Sequence, residues 1–140
     1  MNEQENVKVV QEGYRLFLSG DIENLMPHYT EDVEYIVPGP SGLSPIAGRY
    51  VGKEAVKQFY SKVGANFEFS AFQPQEMIPQ GDKVVVLGHY EAKAKATGQL
   101  LAIDWIHLFQ LRDGKVNRFQ IYEDTATVVA ALSKANVEAV

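Results

Sequence analysis

The sequence contains no cysteine. Disulfides, thiol nucleophiles, zinc fingers and iron–sulfur ligation are therefore all excluded. Histidine is scarce too: His28, His89 and His107 lie far apart, and none stands four residues from another histidine in the spacing of a helical metal site. No metal is expected. No apolar run approaches the ~20 residues of a membrane span, and residues 1–6 are polar and acidic, without the basic start of a signal or transit peptide. The expected place is the cytoplasm, with no membrane contact. Basic residues are in deficit, 13 Lys and Arg against 18 Asp and Glu for a net charge of −5, which argues against a nucleic-acid partner. A phosphate loop is missing as well, because Gly39, Gly42 and Gly48 sit among prolines rather than between a strand and a helix. No serine occupies a Gly-x-Ser-x-Gly turn. The chain is expected to work without a cofactor.

What remains is 140 residues, 46% of them hydrophobic, enough for one domain over 1–140 with a core of its own. Val7, Val10, Tyr14, Phe17 and Leu18 recur at helical spacing over residues 7–18. Gly20 suits a left-handed cap, and Asp21 caps a second, short helix carrying Ile22, Leu25 and Met26. Residues 33–37 read as a strand. Pro38-Gly39-Pro40-Ser41-Gly42 and Pro45 cannot continue a ladder, so a rim loop runs to about Gly48, with the length and composition of a lid or of an ordinary surface loop. Val56, Phe59, Tyr60 and Val63 predict a third helix over 52–64. From Phe67 onward β-branched and aromatic runs alternate with hairpin signals at Gln80-Gly81-Asp82, Thr97-Gly98 and Asp113-Gly114. A short apolar helix over 127–132 closes the pattern. Helices first and antiparallel strands after define an α+β domain.

Strand alternation assigns the faces. Over 101–111, Leu101, Ile103, Trp105, His107, Phe109 and Leu111 share one face, and Asp104, Ile106 and Leu108 lie on the other. Counted straight from Val116, the last strand puts Arg118, Gln120, Tyr122 and Asp124 on one face and Phe119, Ile121 and Glu123 on the opposite one. Both faces then hold apolar bulk. Helices cover only one of them, so a second copy of the sheet is expected over the other, giving a homodimer.

The element order and three phrases, LFLSGDIENLMPHYTEDVEY, GRYVGKEAVKQFY and IHLFQLRDGKVNRFQIYEDT, resemble the SnoaL-like branch of the nuclear-transport-factor-2-like (ketosteroid-isomerase-like) superfamily. The resemblance covers most of the chain. It implies a cone of three helices on a strongly curved sheet with an apolar pocket between. The superfamily includes isomerases, polyketide cyclases, epoxide hydrolases and pure binding modules, so the fold alone leaves the chemistry open. The ketosteroid-isomerase positions fall on Gly13, Val37 and His107, which lack the required phenol and acids, and steroid isomerisation is rejected. The catalytic aspartate of the polyketide-cyclase pattern falls on Asp124, before Thr125. The Arg-x-Asp pair of the epoxide hydrolases is matched only by His89-x-Glu91.

These readings make Asp124 and His107 the candidate catalytic pair. Inside an apolar cone beside Tyr122, Asp124 would be raised above the ~3.9 of a free aspartate and could abstract a proton next to a carbonyl; capping the last helix or pairing with Arg118 is the structural alternative. His107 faces the cone and can donate to a substrate oxygen, or else be a hydrogen-bonded core histidine. His89 and Glu91 form a polar rim or a second acid–base pair. Tyr14, Phe17, Tyr35, Phe59, Tyr60, Trp105 and Tyr122 are expected to line a pocket for a small apolar molecule, carbonyl-bearing or polycyclic, with one or two oxygens. The functional expectation is a cofactor-free isomerase, cyclase or hydrolase of this kind. Its alternative is a non-catalytic ligand-binding or dimerisation module.

Overall fold

The computed structural model describes residues 2–40 and 42–133. Met1 of the polar N-terminus and Ser41 of the rim loop lie outside the described residues. The elements run α1 (Glu3–Leu18), α2 (Ile22–Leu25), a 3-10 turn (Met26–His28), β1 (Tyr29–Val37), β2 (Gly48–Val51), α3 (Lys53–Asn66), β3 (Phe67–Gln80), β4 (Lys83–Ala94), β5 (Leu100–Arg112), β6 (Lys115–Glu123) and α4 (Thr125–Leu132). The six strands form one curved sheet in the order β2-β1-β6-β5-β4-β3. Among the described residues only β1 and β6 pair in parallel.

The chain's turn chemistry sets this path. Gly20 takes φ 75° after α1, and Asp21 caps α2 by accepting from the Asn24 amide, as the Gly-Asp pair predicts. The three hairpin signals become the three turns of the β3–β6 meander. A strand that the sequence pattern does not predict, β2, lies between the rim loop and the third helix, pairs with the end of β1 and puts Tyr50 into the core. Helix α3 then connects β2 to β3, the two edges of the sheet. To do so it crosses the concave face, and it buries Val56, Phe59 and Val63 there. That crossing is what encloses a space between helix and sheet.

Helix α1 packs on β3 and β4 beside it, burying Asn6, Val10, Tyr14 and Leu16. Leu18 leaves the predicted buried stripe and stands 55% exposed, with Leu16 taking the inward place at the last turn. On β5 the expected inner face holds at every position: Leu101, Ile103, Trp105, His107, Phe109 and Leu111 are all buried. The last strand departs from straight alternation. Gln110 pairs with Arg118 but Leu111 pairs with Val116, so Asn117 is an extra residue on β6, a bulge. The bulge flips the parity beyond it. Phe119 and Ile121, expected outward, are buried in the core, while Tyr122 is 49% exposed on the convex face.

Candidate functional site

Between α1, α3 and the concave face lies a cavity of about 90 Å³. Its wall is mostly aromatic and aliphatic. The polar groups that reach it are phenols, two histidines and one carboxylate, Glu123. The rim loop closes one side by burying Ile46, whose carbonyl accepts from the Tyr50 hydroxyl at 2.9 Å.

His107 is placed on the cavity wall, as its strand parity predicts. Its Nδ1 lies 2.7 Å from the Tyr14 hydroxyl, and the Trp105 ring stacks on it at 3.8 Å between centroids. Burial drives the imidazole's pKa down to about 3, so the ring is neutral at physiological pH. Among the described residues Nε2 has no hydrogen-bond partner. Gly88 explains how the indole fits: a Cβ there would overlap the Trp105 ring, so only glycine leaves the ring its place. Trp105 itself stands behind His107 rather than on the cavity surface, and its indole N–H is buried without a partner among the described residues. The expectation that Trp105 touches a ligand is corrected to a supporting position.

The expected carboxylate moves by one residue. Asp124 is exposed, not enclosed. It is the N-cap of α4, accepting from the Thr127 amide at 3.1 Å and the Thr127 hydroxyl at 2.6 Å. Those hydrogen bonds hold its pKa below the ordinary carboxylate value. The Asn117 bulge is the cause, because it turns Glu123 inward in the place that straight counting gives to Asp124. Glu123 lines the cavity, opposite Trp105 across the β5–β6 ladder and one inward position from the Ile121–His107 pair. A diagonal pair of this kind lies about 7–8 Å apart. Burial, with the charge of Asp124 added to it, pushes the Glu123 carboxyl up to about 7. Glu123 was missed by sequence reasoning. The signal that finds it is the run of apolar bulk: Phe119 and Ile121 belong inside, and Glu123 shares their parity.

Tyr14, Phe17, Tyr35, Phe59 and Tyr60 all reach the cavity, together with Tyr29. The hydroxyls of Tyr29, Tyr35 and Tyr60 converge: Tyr35 is 2.6 Å and Tyr29 3.1 Å from Tyr60, and Tyr29 also pairs with Tyr35. Burial raises the pKa of all three, so they remain phenols. Three further expected site residues lie elsewhere. Tyr122 projects from the convex face because of the bulge. His89 and Glu91 project from that same face of β4, since the inward positions there are Val86, Gly88, Tyr90 and Ala92. His89 lies 2.9 Å from Asp104 and 3.4 Å from Glu91, and the hydrogen bond to Asp104 is the main cause of its raised pKa. This is a surface cluster, remote from the cavity wall. Among the described residues, no three His, Asp or Glu side chains gather as a metal site requires.

The model of the SnoaL-like domain family matches residues 10–119. No curated protein matches the chain. Among solved structures it is similar to an NTF2-like protein from Burkholderia xenovorans LB400, at 31% identity over 95% of this chain and 99% of that one, with a TM-score of 0.87. It is also similar to TerC, co-crystallised with polyporic acid, at 28% identity over 91% and 98% of the two chains and a TM-score of 0.78. An NTF2-like protein of unknown function from Burkholderia pseudomallei K96243 shares 26% identity over 95% and 99%, with a TM-score of 0.82. With the family match spanning well over half its length, the chain belongs to the SnoaL-like domain family and carries the nuclear-transport-factor-2-like fold.

Proposed function

We propose that the inner cavity takes the carbonyl end of a small molecule and that Glu123 moves a proton to and from the carbon next to it. The observation that carries this reading is a lone carboxylate on an apolar wall, with a pKa of about 7. A base or acid works best when its pKa matches the ambient pH. As carboxylate, Glu123 takes the α-proton; the C–H electron pair moves toward the carbonyl, whose oxygen gathers negative charge. The neutral His107 ring, accepting at Nδ1 from the Tyr14 hydroxyl, keeps its proton on Nε2 and offers it to that oxygen as a hydrogen bond. The protonated Glu123 then returns a proton to carbon. The co-crystallisation of TerC with polyporic acid supports a small-molecule site on this scaffold. The cavity volume favours a compact group over a polycyclic one, since an apolar cavity of about 150 Å³ holds a single benzene ring.

The test is deuterium wash-in next to the carbonyl of 2-butanone in D₂O, followed by NMR. The expected exchange rises with pH around 7, as the carboxylate forms, and drops about 10²- to 10⁴-fold in Glu123→Gln. Wild-type exchange in that variant would remove Glu123 from the mechanism. Stabilisation by ketone without any exchange would assign the chain to ligand binding alone. A second copy of the chain is the proposed cover for the convex face, where Ile106 (41% exposed) and Tyr122 (49%) stand beside Leu87 and Leu108.

A further inference from the structure

The inner cavity is too small for most metabolites, yet it does not stand alone. A second, wider groove of about 700 Å³ runs outside it, between the end of α1, α3 and β3. Phe17, Tyr60, Val63, Phe67, Phe69 and Phe72 line both spaces. The partition is thus a single layer of side chains drawn from three elements, with Phe17 5.1 Å from Phe72 and 5.6 Å from Tyr60 between ring centroids. On its other sides the cavity meets the hydrogen-bonded sheet, the inner side of α1, Leu25 and His28 of the segment after it, and the Ile46 loop. β3 is an edge strand, so no further strand closes the groove side.

We propose that this groove is the outer compartment of the ligand site, and that the molecule taken is elongated: a compact carbonyl end inside and an uncharged apolar chain lying along the groove. The proposal rests on the reading that the inner cavity receives a carbonyl group. The groove wall adds Leu18 and Ile22 to the shared aromatics, and the exposure of Leu18, an apolar side chain left out of the core at the end of α1, follows from its place on this rim. Charge gives the chain its character. Lys57 and Glu23 face the groove with opposite signs and are paired at 3.4 Å, and Lys57 also meets Glu54 at 3.6 Å. The cation is therefore already neutralised, and an anionic tail gains little there.

Gly64 supplies the test. It lines the groove but not the cavity, sits in α3 with an ordinary helical φ, and has open space where a Cβ would go. Gly64→Phe therefore fills the groove without strain, and Ser61→Trp, one helical turn earlier on the same wall, does so independently. Binding of the 2-alkanones from butanone to nonanone is measured by calorimetry, with thermal melts confirming that each variant is folded. In the wild type, affinity is expected to rise about fourfold per added methylene as the chain is buried. In both variants butanone binds as in the wild type, while nonanone loses at least tenfold and the series flattens. Butanone binding with a flat wild-type series, or a slope that survives in both variants, overturns the outer compartment and leaves the inner reading standing. Failure of every ketone to bind overturns both.

Discussion

At the scale of single residues, the half-buried Glu123 carboxyl and the buried His107 imidazole oppose each other as the pH changes. Glu123 has a folded pKa of about 7 against an ordinary 4.5. Its raised value means that the folded state holds the proton more tightly than the unfolded one. The associated stability is complete below about pH 4.5 and is lost as pH rises through 7, amounting to about 3 kcal/mol. His107 works in the other sense, because its pKa falls from 6.5 to about 3. Its contribution is complete above 6.5 and is lost as acid forces a charge onto the buried ring. Between these limits the slopes cancel, so these two groups place maximum stability near pH 5–6. Urea denaturation from pH 4 to 9 is expected to show wild-type stability falling on the alkaline side of that maximum. Glu123→Gln is expected to remove the alkaline fall and leave the acid one. An unchanged profile in the variant would show that the carboxyl is not buried as described.

At the scale of elements, the sequence displays most of the fold because each device is local. The Gly20-Asp21 stop, the third helix and the three hairpin turns depend on residues adjacent in the chain, and each appears where its signal stands. The inner face of β5 is legible for the same reason, since six alternate positions carry bulk without interruption. Strand β6 is not, because its bulge at Asn117 is a property of the pairing with β5 and leaves no turn residue to announce it. One unpaired residue exchanges Asp124 for Glu123 and carries Tyr122 outward. The Asp-Thr phrase that resembles a cyclase site is, in this chain, the cap of α4. His89 and Glu91 mislead differently: they share a strand face with the apolar Val85 and Leu87, but only the covering helices decide which face of the sheet is the inner one. The tyrosine trio is not legible in the sequence, since Tyr60 is far from Tyr29 and Tyr35 along it and the three meet through the crossing of α3.

At the scale of the whole molecule, helices cover one face of the sheet, while Ile106 and Tyr122 stand 41% and 49% exposed on the convex one. Apolar surface of this kind, rimmed by the His89–Asp104–Glu91 cluster, is what association between copies uses. Sedimentation at micromolar concentration is expected to give twice the 15.6 kDa of a single chain, and a charge placed at Ile106 (Ile106→Asp) is expected to return it to one. A monomer throughout would contradict the proposed pairing of two sheets. No described helix is long and apolar enough to cross a membrane. The account as a whole turns on one proton held inside the cone. Carboxyl ¹³C NMR of protein labelled at glutamate follows that proton directly, with Glu123→Gln identifying the resonance. A midpoint near 7 is the expected result. A resonance that titrates near 4.5, the ordinary glutamate value, would contradict it.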